Sequence, residues 1–135
     1  MKNLCVINFR DYTDYVRMNA NFSGRSETET RNLMSKKILY KRKNENYEIL
    51  FSEGFKGYYH IFVTDGITEK CFSISLALSD AEKSNPDNII TDNNHVELSE
   101  EIADKTGIDI ERCWKTFADE ILYTIRYFNK KKVID

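Results

Sequence analysis

Few side chains in this 135-residue chain have both the type and the spacing that chemistry asks for. The two histidines stand apart. His60 sits in an aromatic run, Y-Y-H-I-F, where a hydrogen-bonded structural imidazole is expected rather than a base or a ligand. His95 closes the D-N-N-H cluster that starts at Asp92. Its donor atoms suit a metal, but the spacing matches no zinc or calcium pattern, so a solvated loop is expected. Cys5, Cys71 and Cys113 form no C-x-x-C pair, and each lies in or beside an apolar run. Buried thiols of that kind have raised pKa values and are poor nucleophiles. There is no P-loop, no G-x-S-x-G and no G-x-G-x-x-G. No catalytic, cofactor or metal residue is therefore assigned, and a non-enzymatic protein is expected.

Charge is more informative. The net charge is only −2, but it is unevenly laid out. Residues 31–43 carry six bases (Arg31, Lys36, Lys37, Lys41, Arg42 and Lys43) and no acid. Residues 80–111 carry ten acids against two bases, Lys83 and Lys105. Two lobes of opposite sign can attract each other within the fold or steer partners. The basic run lies beside Tyr40 and Tyr47 and has the composition for phosphate contacts with stacking rings. The acidic lobe would repel a duplex and suits a basic protein surface instead.

The elements that must carry these residues make an α+β domain. Eight Phe, eight Tyr and one Trp supply core material, and one Pro with five Gly argues against disorder. Residues 4–9 have strand chemistry. Residues 11–22 fit helix and strand equally badly. Ser26 with Glu29 forms a capping box for a thin surface helix over about 27–37. Three strands follow. Tyr47, Ile49 and Phe51 alternate with polar neighbours. Tyr58 to Thr64 is apolar on both faces, which suits a central strand. Asp65-Gly66 signals a hairpin turn. The third strand sets Phe72, Ile74, Leu76 and Leu78 on one side and the small Cys71, Ser73, Ser75 and Ala77 on the other. Close helix packing on that small face is favoured over a ligand groove.

Residues 79–94 read as a polar connector, and residues 95–135 as a helical hairpin. Its first helix runs from Leu98 to Lys105 with Gly107 as a left-handed stop, and Asp109 caps the second. Ile110, Trp114, Phe117, Ile121, Ile125 and Phe128 make one apolar stripe. It can pack on the sheet, or Trp114, Phe117, Ile121 and Ile125 can form a dimer seam. A single domain over 1–135 is expected, with an antiparallel sheet of three or four strands packed against this hairpin.

Residues 96–134 resemble the first two helices of the HU/IHF bacterial chromatin proteins. The likeness rests on Glu97-Leu98, Ile102-Ala103, Asp104-Lys105-Thr106-Gly107-Ile108, the apolar Phe117 and Ile121, and Lys131-Lys132-Val133. In that family the helix pair builds an intertwined dimer, so the resemblance implies dimerisation. Here the strands precede the helices, and no segment resembles the DNA-binding arm. No DNA-binding residue is carried over.

Two functions are expected from these observations. The first is an interaction protein that binds and blocks or regulates a protein partner, of the immunity-protein or phage anti-defence type. Glu97, Glu100, Glu101 and Asp104 would steer, and Tyr123 and Tyr127 would anchor. The partner would be a toxin or a nucleic-acid-processing enzyme. The second is a dimeric nucleic-acid-associated regulator contacting phosphates through Lys36, Lys37, Lys41, Arg42 and Lys43. The N-terminus lacks signal-peptide character and no stretch suits a membrane span, so a cytoplasmic site without membrane partners is expected.

Overall fold

In the computed structural model the backbone is described for residues 4–53 and 58–134, and side chains for 4–52 and 58–130. Five strands form one antiparallel sheet: β1 (Leu4–Phe9), β2 (Ile38–Lys43), β3 (Tyr47–Glu53), β4 (Tyr58–Asp65) and β5 (Lys70–Ala77). Their order is β1-β5-β4-β3-β2, a meander of four strands with the N-terminal strand added beside the last. Period-two alternation gives the sheet two apolar faces. Ile49, Phe51, Ile61, Val63, Phe72, Ile74 and Leu76 point to one, and Leu50, Phe62 and Cys71 to the other.

The C-terminal helices cover the first face. Here α4 (Asp92–Thr106) contributes Leu98 and Ile102. A long helix follows in three parts: α5 (Ile110–Arg112), a π-helical segment (Cys113–Ala118) and α6 (Asp119–Ile134). It buries Cys113, Phe117, Ala118, Ile121, Leu122 and Ile125. Phe117 meets Phe72 and Tyr47 edge-on, at ring-centroid distances of 5.8 and 5.9 Å. On the second face lie α1 (Tyr12–Ser23) and α2 (Glu27–Lys36). This layer is thinner: Tyr15, Phe62 and Cys71 form its central cluster, with Phe9, Tyr12, Met18, Met34 and Leu50 packed around them, and α1 also buries Val16 and Ala20.

Local chemistry explains the helix ends. Asp11 caps α1 by accepting from the Asp14 amide at 2.8 Å. Ser26 caps α2 by accepting from the Glu29 amide at 3.2 Å. The full reciprocal box occurs instead at Ser79 and Glu82, where α3 (Asp80–Ser84) begins. Gly107 ends α4 with φ +74°, and Asp109 then accepts from the Glu111 and Arg112 amides.

Two expectations are corrected, the strand count and the burial of Cys5, and two stretches that the sequence left open take shape. The sheet has five strands, not three or four. The extra strand is β2, which is hard to read because its pairing with β3 shifts at Leu39: Ile38 faces Ser52, yet Tyr40 faces Phe51. Such a bulge breaks the alternation that marks a strand. Residues 11–22, which fit neither pattern, are helix α1 with its Asp11 cap. The connector holds α3, a 3-10 turn (Pro86–Asn88) and the first turn of α4. Finally, Cys5 is exposed on the edge strand β1; Cys71 and Cys113 are buried. Burial raises both of those thiols, Cys113 to about 11.

Candidate protein-interaction surface

Residues 31–43 are not one solvated run but the end of α2 followed by the edge strand β2. Past the bulge, β2 alternates. Tyr40 and Arg42 turn to the first face, where the long helix lies, and Lys41 and Lys43 sit opposite Leu50 and Glu48. Arg42 is thereby held against the long helix. Its Nε lies 2.5 Å from Glu120 Oε2, and its guanidinium sits 5.3 Å from the centre of the Tyr123 ring. One helical turn on, Tyr127 stacks on Tyr123 at 6.5 Å and packs against Tyr40 at 5.2 Å.

The outcome is a ladder, Arg42–Tyr123–Tyr127–Tyr40, that crosses from sheet edge to helix. Tyr123 is 46% exposed and Tyr127 43%. A shallow groove beside it is lined by Arg42, Ile90, Asp119, Glu120 and Tyr123. Tyrosine and arginine are the residues that dominate binding energy at protein interfaces. Here they are pre-ordered by contacts with one another, so little side-chain freedom remains to be lost on docking.

The predicted acidic residues lie elsewhere. Glu97, Glu100 and Asp104 are exposed on α4 and Glu101 is half-buried. This helix packs beside β1, where its Lys105 carbonyl accepts from the Asn8 amide side chain. The tyrosine ladder touches β2, at the opposite edge of the sheet. Four interstrand steps, roughly 19 Å, separate these edges. Among the described residues Glu100, Glu101 and Asp104 form no ion pair, and neither do Lys36, Lys37, Lys41 and Lys43. No ion pair joins the two charge lobes among the described residues.

The proposed dimer seam is corrected. Phe117, Ile121 and Ile125 are fully buried against this chain's own sheet, so they present nothing to a second copy. Only Trp114 reaches solvent, at 37%, and its ring lies 5.5 Å from that of His95. His95 is likewise not in a solvated loop. It belongs to α4, with Nδ1 2.9 Å from the Thr91 carbonyl and Nε2 2.5 Å from Asp119. His60 is held through Nδ1, 2.9 Å from Ser75 Oγ. Tyr40, expected only as a stacking ring beside the basic run, instead packs on Tyr127, and Ile90 gave no signal because it sits in a polar stretch.

Comparison of the chain with protein-family models, with curated proteins and with solved structures finds no match. Among the described residues no helix is long and apolar enough to cross a membrane.

Proposed function

We propose that this is a non-enzymatic interaction protein that binds a protein partner and blocks or regulates it. The observation that supports this best is the half-exposed ladder of Tyr40, Tyr127, Tyr123 and Arg42. Tyr123 and Tyr127 are the anchors. Lys41 and Lys43 of β2 turn to the other face of the sheet, so the ladder's neighbours are the Asp119 and Glu120 carboxylates rather than a lysine rim. Glu97, Glu100, Glu101 and Asp104 stand on α4 and make no contact with the ladder's rings. They act by orienting the approach or by meeting a separate basic region.

The test compares the wild-type chain with a Tyr123→Ala/Tyr127→Ala variant, both tagged and both checked for an unchanged melt. Each is incubated with native host lysate, with and without nuclease. A stoichiometric protein that survives nuclease and binds the variant about thirtyfold more weakly is expected, the loss typical of a hot spot. Equal retention by both chains would rule out the tyrosine surface.

A second reading, nucleic-acid binding, draws on Lys36, Lys37, Lys41 and Lys43, which form no ion pair among the described residues. The ladder weighs against it. Arg42 covers Tyr123 and Tyr40 packs on Tyr127, so the rings offer edges where a base needs open faces. Salt-sensitive retention of a single-stranded oligonucleotide, lost in Lys41→Glu/Lys43→Glu, would revive it.

A further inference from the structure

We propose that the pocket between the α1–α2 pair and the second face of the sheet binds a small planar aromatic ring bearing one anionic group. The pocket measures about 370 Å³, within the roughly 300–1,000 Å³ range of small-molecule sites. It lies on the far side of the sheet from the C-terminal helices and is independent of the tyrosine ladder.

Its walls specify a flat ligand. Tyr15 and Phe62 lie nearly parallel, with centroids 4.7 Å apart, and Tyr12 meets Phe62 edge-on at 5.2 Å. Met34 and Leu50 complete the apolar lining. A planar ring can extend such an arrangement by offset or edge-to-face contact. The cavity has a sequence cause: Ser52 and His60 occupy β3 and β4 positions that large apolar residues would otherwise fill.

The polar groups specify an anion. Lys37 is the only charged residue in the lining, and no carboxylate lines the pocket among the described residues. Nothing in the lining neutralises its cation, so one anionic group is the complement. His60 adds no second charge. Burial, and then the charge of Lys37, hold its pKa below the ordinary histidine value, so it is neutral at pH 7. With Nδ1 engaged by Ser75, Nε2 is the imidazole atom left for a ligand. Asn19 donates to the Tyr15 carbonyl at 2.9 Å, which leaves its side-chain oxygen as an acceptor. Those two groups and the Ser52 hydroxyl fix the ring's orientation.

An aryl carboxylate and a nucleoside monophosphate share this chemistry. The test titrates the full-length ¹⁵N-labelled protein with indole-3-acetate, with adenosine monophosphate and with neutral indole-3-acetamide. Saturable shifts confined to α1, α2, β3 and β4 are expected with at least one of the two anions, and the responding anion identifies the source. The acetamide should bind at least about tenfold more weakly than indole-3-acetate if the carboxylate is the ligand. Lys37→Met should weaken either anion by about tenfold, the weight of one charged contact. Lys37 is exposed, so that variant keeps its fold, and Ser52→Leu should abolish binding by filling the pocket. No response to either anion up to ~10 mM, weaker than any specific site of this size, would overturn the proposal. So would shifts that Lys37→Met leaves unchanged.

Discussion

Asp65 is the most constrained charge in the molecule. Its side chain is fully buried at the end of β4. Arg112 donates to both of its oxygens, at 2.7 and 2.9 Å, and the Ile67 amide and Thr68 hydroxyl donate as well. Burial on its own would raise this carboxyl's pKa. The hydrogen bonds from Arg112, Thr68 and Ile67, with the guanidinium charge, outweigh it and hold the group below the ordinary aspartate value. The stability it contributes is therefore complete above the unfolded pKa of about 3.9 and is lost as pH falls through the lower folded value. Asp65→Asn should flatten the acid limb of a stability–pH curve measured by urea unfolding; an unchanged limb would refute this linkage. Arg112→Leu strands a buried carboxylate and should cost about 3–5 kcal/mol at pH 7. Read as sequence, Asp65-Gly66 shows only a turn. The Arg112 partnership is invisible there because it spans 47 positions.

At the scale of elements, the long helix shows what periodicity can and cannot reveal. From Phe117 onward the apolar stripe falls where its spacing places it, and Phe117, Ile121 and Ile125 are all buried. Upstream it fails: Ile110 and Trp114 are exposed, and Cys113 is buried instead. The cause is the π-helical segment. Its i→i+5 bonds insert a residue and rotate the preceding turn out of phase. A sequence that conserves apolar character on both sides of such a turn gives no warning of it. The Gly107 turn was legible because its backbone demands it. At φ +74° a side chain is strained, and an added Cβ would also meet Lys70 Nζ at 3.3 Å, a group that donates to the Thr106 carbonyl at 2.7 Å. Gly107→Ala should destabilise the chain by about 1–2 kcal/mol. Gly24→Ala, at φ +69° with nothing within 4 Å, should lose only the backbone part. Paired denaturant titrations with equal m-values would check this order.

Across the whole molecule the two helical layers are unequal. A cluster of twenty-one buried apolar residues lies on the first face, against a cluster of three on the second with Val16 and Ala20 of α1 beside it. Apolar burial dominates local stability, so the α1–α2 layer should open at lower free energy than the core beneath α4 and the long helix. Native-state hydrogen exchange measures this directly. Amides of α1 and α2 should exchange through sub-global opening, and those of β4, β5 and α6 only near the global limit. Protection that is uniform across both layers would contradict the asymmetry.

The meander has a consequence for biosynthesis. By Ala77 all of its strands have been translated, yet the helix that covers Ile49, Phe51, Ile61 and Ile74 starts only at Ile110. A growing chain that has released the strands but not yet the long helix therefore leaves the first face of the sheet uncovered. In that interval the nascent protein is a natural client for holdase chaperones, and a stall or truncation between residues 78 and 110 would release a sticky intermediate rather than a smaller stable domain.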